Sequence, residues 1–207
     1  NSHPHLSNDK KFSLVHNGII ENYLELKDFL IKNNYIFHSQ TDTEIIVNLI
    51  SYYYNIGNNT FDSIKHTIEK LQGTYGIIVM DNCEKSKFYA VRNGSPLLIG
   101  YNSDCAIITS EQSGFCNNVN TYITLNNDDI CIIEKDDNNK IIIKTDNTYI
   151  KKDVYLTNDA LTPHPYKHWT IKEINDQADT ITNCINKGGR IKNICEVKLG
   201  GLEPHIE

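Results

Sequence analysis

Gly76-Ile77-Ile78-Val79-Met80-Asp81 and Lys87-Phe88-Tyr89-Ala90-Val91-Arg92 are two short apolar runs separated by polar residues. Both are rich in β-branched or aromatic side chains and too short for independent helices, so they predict strands. Runs of the same kind follow at 96–100, 106–109 and 122–125, parted by Gly, Asn, Asp and Ser. Residues 130–134 and 140–145 flank Asp136-Asp137-Asn138-Asn139 and predict a hairpin. Gly94-Ser95-Pro96 lacks the phosphate-loop pattern and is expected to be a turn between strands.

Working back towards the start, the pattern becomes helical. Residues 23–33 carry Leu26, Phe29 and Leu30 at helical spacing. Thr41-Asp42-Thr43-Glu44 has capping-box spacing and opens a helix with Ile45, Ile46, Leu49, Ile50 and Tyr53 on its apolar face. A third helix is expected over 61–71. A fourth is expected over 169–186, stopped by Gly188-Gly189. Residues 11–15 predict a strand, followed by the Asn17-Gly18 turn signal. Helices followed by a strand meander, without regular βαβ alternation, place the chain in the α+β class with antiparallel sheets.

The 207 residues suffice for a full core, and the apolar fraction of 39% with 22% charged residues is ordinary globular usage. A net charge of −6 and no Lys/Arg cluster argue against nucleic acid as a partner. No run approaches a membrane span, and no signal-peptide pattern opens the chain. The six cysteines form no Cys-x-x-Cys pair and read as reduced thiols of a cytoplasmic protein. The chain opens without Met and closes on a structured-looking stretch, so both ends are expected to be cuts within a longer polypeptide.

Val15-His16-Asn17-Gly18 admits two readings. Asn-Gly tolerates the positive φ of a hairpin turn. The same pair can also offer a side-chain NH₂ and a backbone N–H to an oxyanion. Thr41-Asp42-Thr43-Glu44 caps a helix, with acidic groups meeting its dipole. Asp42 there could also pair with a substrate ammonium group. His3 and His5, or His164 and His168, complete no metal site, and Pro165 disfavours a helix through the second pair. Arg92 could anchor a carboxylate or backbone carbonyls.

These strings resemble, in order, the glutamine amidotransferase domain of the glutamine–fructose-6-phosphate aminotransferases. The matching pieces are Asn1-Ser2-His3-Pro4-His5, His16-Asn17-Gly18-Ile19-Ile20-Glu21-Asn22-Tyr23 and Thr41-Asp42-Thr43-Glu44. Leu71-Gln72-Gly73-Thr74-Tyr75-Gly76, Arg92-Asn93-Gly94-Ser95-Pro96-Leu97, Lys172-Glu173-Ile174 and Lys198-Leu199-Gly200-Gly201-Leu202 follow. The resemblance implies an N-terminal-nucleophile hydrolase fold, a four-layer αββα sandwich with antiparallel sheets, its N-terminal part missing. It implies a partial glutaminase domain over 1–187 and a linker over 188–207 into a missing sugar-isomerase domain. Asn17 and Gly18 would be the oxyanion donors, Asp42 would bind the α-ammonium of glutamine, and His3 would support the site. No cofactor and no metal are implied. Glutamine would be the substrate here, and fructose 6-phosphate that of the missing isomerase domains. The full-length protein would be a homo-oligomer.

In the family an N-terminal Cys attacks glutamine with its own α-amine as base, and the ammonia released aminates fructose 6-phosphate. That Cys and the Arg-Trp-x-Thr-His segment do not occur in this sequence, and every cysteine here is internal. The chain alone is therefore expected to be inactive. Two other readings compete: a non-catalytic glutamine-binding or scaffold module, and an amidotransferase of the amidophosphoribosyltransferase type.

Overall fold

The computed structural model describes residues 2–84, 86–155, 162–185, 191–193 and 196–197. Two units divide the chain, residues 1–156 and 157–207.

The spine of the first unit is a pair of long strands, β2 (Phe12–Ile20) and β3 (Gly73–Asp81). They run antiparallel along their full length, from Phe12 opposite Asp81 to Ile20 opposite Gly73. β1 (His5–Leu6) adds to one edge; β4 (Lys87–Asn93), β8 (Cys131–Lys135) and β9 (Ile141–Lys144) extend the other, giving the order β1-β2-β3-β4-β8-β9. A second antiparallel sheet is ordered β10 (Lys152–Asp153), β7 (Thr121–Thr124), β5 (Leu98–Tyr101), β6 (Ala106–Thr109). The strand runs expected downstream of residue 76 are all present, including the β8–β9 hairpin over Asp136–Asn139.

One expectation fails. Asn17-Gly18 is not a turn: both residues lie inside β2, which continues to Ile20. Gly18 has φ +136°, and a Cβ there would stand 2.0 Å from the Thr74 carbonyl oxygen. Glycine lets β3 approach closely while the ladder continues, so the positive φ read as a turn signal serves a strand.

Period-2 alternation gives each strand of the large sheet two faces. Phe12, Leu14, Tyr75, Ile77, Val79, Tyr89 and Val91 form one core with a helical layer: α1 (Tyr23–Lys32), α2 (Asp42–Asn55) and α3 (Thr60–Ile68). On the other face Ala90, Cys131 and Ile133 meet Leu97, Ile99, Ile123 and Leu125 across the two sheets. The first unit is thus helix on sheet on sheet, α+β with antiparallel pairing. The second unit contributes α4 (Trp169–Cys184) and the pair β11 (Ile191–Asn193) with β12 (Glu196–Val197). The boundary expected between 187 and 188, the Gly188-Gly189 stop and the string 198–202 lie outside the described residues.

Helix α2 begins as its sequence dictates. Thr41, extended at φ −86° and ψ 145°, accepts the Glu44 N–H on its hydroxyl oxygen. The reciprocal half of a capping box is absent. The Glu44 carboxylate instead accepts the amides of His38 at 2.8 Å and Ser39 at 2.7 Å, and the Ser39 hydroxyl at 2.6 Å. It thereby ties the incoming loop to the first turn. From Thr43 to Ser51 every side chain of α2 is buried, which fixes the helix against the sheet and its first turn against β2.

Candidate functional site

The first turn of α2, the end of β2 and the N-terminal segment surround an open cavity of about 400 Å³. His3, His16, Gly18, Tyr23, Asp42 and Thr43 are among its walls. Three of the residues expected at the site, His3, Gly18 and Asp42, are therefore brought together. The fourth, Asn17, is exposed and does not line this cavity. Alternation along β2 sends its side chain to the face opposite that of buried His16.

Asp42 is held from one side only. Its Oδ2 accepts the Ile20 backbone N–H at 2.9 Å, while the side chain keeps 23% of its surface exposed. It stands in the first turn of a 14-residue helix, at the positive end of the helix dipole. A carboxylate anchored by one oxygen with the other free can receive a cation from solvent.

Behind it stands a group of histidines tied by threonine hydroxyls. Thr43 Oγ1 lies 3.2 Å from His16 Nδ1 and 3.3 Å from His3 Nε2. Thr41 Oγ1 lies 3.3 Å from His5 Nε2. The His3 and His5 rings meet edge to face at 5.5 Å. His16 Nδ1 is 3.8 Å from Asp42 Oδ1, and the imidazole is almost fully buried. Its Nε2 has no partner meeting ordinary hydrogen-bond geometry, although the Thr74 carbonyl is near enough to favour the protonated ring slightly. Burial lowers the His16 pKa, the nearby His3 adds to that, and Asp42 opposes it. His5 is lowered too, first by burial and then by His3. Both rings therefore favour the neutral form at neutral pH. The His3 and His16 nitrogens share the Thr43 hydroxyl and the His5 nitrogen faces that of Thr41, and among the described residues no group of three His, Cys, Asp or Glu is placed to hold a metal.

His16 and Thr43 were absent from the residues singled out by sequence. The alternation of β2 held a signal for the first: His16 falls in register with Phe12 and Leu14, so it must be buried. Nothing local marked the second. Arg92 is settled as structural, donating to the carbonyls of Ser95 at 2.7 Å, Leu125 at 2.9 Å and Gly94 at 3.3 Å. It braces the turn between β4 and β5. None of the five described cysteines lines the cavity. Cys131 lies in the core between the sheets, where burial pushes its thiol up to about 12.

Comparisons with known proteins agree with this architecture. A family model described as a glutamine amidotransferase domain matches residues 1–117. A probable glutamine–fructose-6-phosphate aminotransferase of Acanthamoeba polyphaga mimivirus is 41% identical over 190 residues, 90% of this chain and 30% of the relative. The aminotransferase of Buchnera aphidicola is 40% identical over 89% of this chain and 30% of its own length. That of Clostridium perfringens is 34% identical over 98% and 33%. The chain thus spans about a third of the length of these curated relatives. Among solved structures, the glutamine phosphoribosylpyrophosphate amidotransferase of B. subtilis superposes with a TM-score of 0.57 at 25% identity, covering 70% of this chain and 32% of that one. The architecture is that of the N-terminal-nucleophile hydrolases.

Proposed function

The chain belongs to the glutamine amidotransferase domain family, and from that premise we propose that the cavity beside Asp42 binds the amino-acid end of glutamine. The observation that carries this reading is the half-anchored carboxylate. Ile20 N–H fixes Oδ2, and the side chain, 23% exposed, lines the cavity where an α-ammonium group can meet it. A carboxylate paired with a primary ammonium is the recognition a free amino acid requires.

Gly18 borders the same cavity, and Asn17 precedes it on the exposed side of the strand. In the proposed reaction a thiolate attacks the glutamine amide carbon. The amide end of the ligand reaches past Gly18 to the exposed face of the strand, where the Gly18 N–H and the Asn17 side-chain NH₂ hold the oxygen that becomes negative; the amide nitrogen takes a proton and leaves as ammonia, and the acyl group stays on sulfur as a thioester. Removing one such donor typically lowers the rate by about 10²–10³. Among the described residues no thiol lines the cavity, so these residues supply binding and oxyanion groups without the nucleophile. The 207-residue chain by itself therefore binds glutamine and does not hydrolyse it. In the whole protein, the ammonia aminates fructose 6-phosphate, the acceptor carried in the names of the relatives at 34–41% identity. The similarity to phosphoribosylpyrophosphate amidotransferase favours a second acceptor, but at only 25% identity. Cys83, Cys105, Cys116 and Cys131 are free thiols, which suits the reducing cytoplasm we assign to the protein.

Calorimetric titration of L-glutamine into the purified chain, with an ammonia assay on the same samples, tests this reading. Saturable binding without ammonia release is expected. Absence of binding contradicts the site, and ammonia release contradicts the role given to the missing thiol.

A further inference from the structure

The contacts behind Asp42 reach further than the ligand subsite itself. We propose that His16, acting through Thr43, is a positioning residue for the Asp42 carboxylate, and that a proton taken up on His16 competes with the ligand's ammonium group. The inference rests on the reading of Asp42 as the ammonium subsite.

The geometry supplies the first half. Thr43 stands next to Asp42 in the first turn of α2, and its hydroxyl is gripped between two imidazoles, His16 Nδ1 at 3.2 Å and His3 Nε2 at 3.3 Å. His16 is rooted in the long strand β2, and His3 in the segment preceding β1. The grip therefore ties two separate pieces of chain to the turn that carries Asp42. A hydroxyl has one proton, so Thr43 donates to one ring and accepts from the other. We place the His16 proton on Nε2, the ring nitrogen that no hydroxyl partners. That leaves Nδ1 as the acceptor of the Thr43 hydroxyl proton, while His3 Nε2–H donates to Thr43. In this arrangement His16 is neutral, and among the described residues that line the cavity no lysine or arginine faces Asp42.

The second half follows from charge. A proton added at His16 Nδ1 breaks the Thr43 donation and places a positive charge 3.8 Å from Asp42 Oδ1. At about 4 Å a unit charge offsets a neighbouring carboxylate by a factor of about five even in bulk-water screening, and by more where burial weakens screening. His3, on the other side of the Thr43 hydroxyl, opposes protonation of His16. Glu44, the nearest other carboxylate of the turn, is engaged with His38 and Ser39. Asp42 is thus the acid that an imidazolium at His16 would neutralise.

The test is the affinity of L-glutamate, which keeps the α-ammonium and cannot be hydrolysed, measured on the full chain from about pH 8 down to about pH 5. In the unaltered protein, affinity is expected to begin falling below the ordinary histidine range, because burial lowers His16, and to approach a fall of about fivefold as His16 becomes protonated. His16→Asn places an amide group at the Nδ1 position but takes up no proton. It is expected to bind within about threefold of the unaltered protein at the high end and to lose most of the pH dependence. Thr43→Val should weaken binding about tenfold at every pH, with Thr43→Ser restoring it. Circular dichroism of each variant confirms that it is folded. A His16→Asn profile superimposable on the unaltered one, or Thr43→Val binding as tightly as Thr43→Ser, overturns the inference while leaving Asp42 as the subsite. Unchanged binding by Asp42→Asn overturns the subsite reading and the inference with it.

Discussion

The Thr74 carbonyl oxygen occupies the space where a Gly18 side chain would begin, 2.0 Å from the ideal Cβ position. Gly73 mirrors this closeness, with the Ile19 carbonyl oxygen 2.2 Å from its own ideal Cβ. The end of the β2–β3 ladder that borders the candidate site is therefore built on two glycines with positive φ. Gly18→Ala should destabilise the fold by more than about 3 kcal/mol, because strain at φ +136° adds to a backbone clash. Gly57 also has a positive φ, +109°, but open space around it. Gly57→Ala should cost only about 1 kcal/mol. Urea unfolding of the two variants separates strain from clash.

The buried pair Lys11–Asp81 holds β2 to β3 at the opposite end. Lys11 Nζ is 2.9 Å from Asp81 Oδ2 and 4.2 Å from the centre of the Tyr54 ring. Asp81 also accepts the Thr60 hydroxyl at 2.9 Å and the Cys83 amide at 2.9 Å. Lys11→Met leaves a buried carboxylate without its cation and is expected to cost about 3 kcal/mol. Adding Asp81→Asn should recover part of that loss. A double-mutant cycle by chemical denaturation gives the coupling.

Glu44 makes stability depend on acid. Burial raises its pKa, but hydrogen bonds from the Ser39 hydroxyl and the His38 and Ser39 amides outweigh burial and hold the carboxyl below its usual range. The folded pKa is the lower one, so the contribution is complete above the ordinary glutamate value of about 4.3 and is lost as pH falls through the folded value. Glu44→Gln should lose about 1–2 kcal/mol at neutral pH. It should also show a shallower decline in acid, read from melting temperatures across the acid range. Thr41→Ala, which removes the cap from the Glu44 amide, is expected to cost about 1 kcal/mol at all pH values.

The parts of this molecule that were legible in its sequence are those governed by neighbours along the chain. Thr41 caps α2, Asp136–Asn139 turns a hairpin, and Leu26 and Leu30 face the core because each depends on spacing of a few residues. The placement of Asn17-Gly18 was not legible, since the dipeptide permits a positive φ without saying what uses it. The user is Thr74, brought alongside by strand pairing across the whole helical layer. The reciprocal box at Thr41 was likewise misjudged, because Glu44 finds better donors in the preceding loop. The family motifs located Asp42, Gly18 and His3 at one cavity. The clamp of Thr43 between His16 and His3 exists only once β2 packs on α2, so no local pattern could announce it.

The central claim is that Asp42 receives the ammonium of a glutamine-like ligand. It is tested most directly by titrating L-glutamate into the unaltered chain and into Asp42→Asn near neutral pH. Asparagine keeps an oxygen for the Ile20 N–H, so the fold should persist, as checked by circular dichroism. The account predicts that affinity falls by about tenfold to a hundredfold, the worth of one charge-assisted contact. Equal affinity in the two proteins would contradict it and place the ligand's amino group elsewhere.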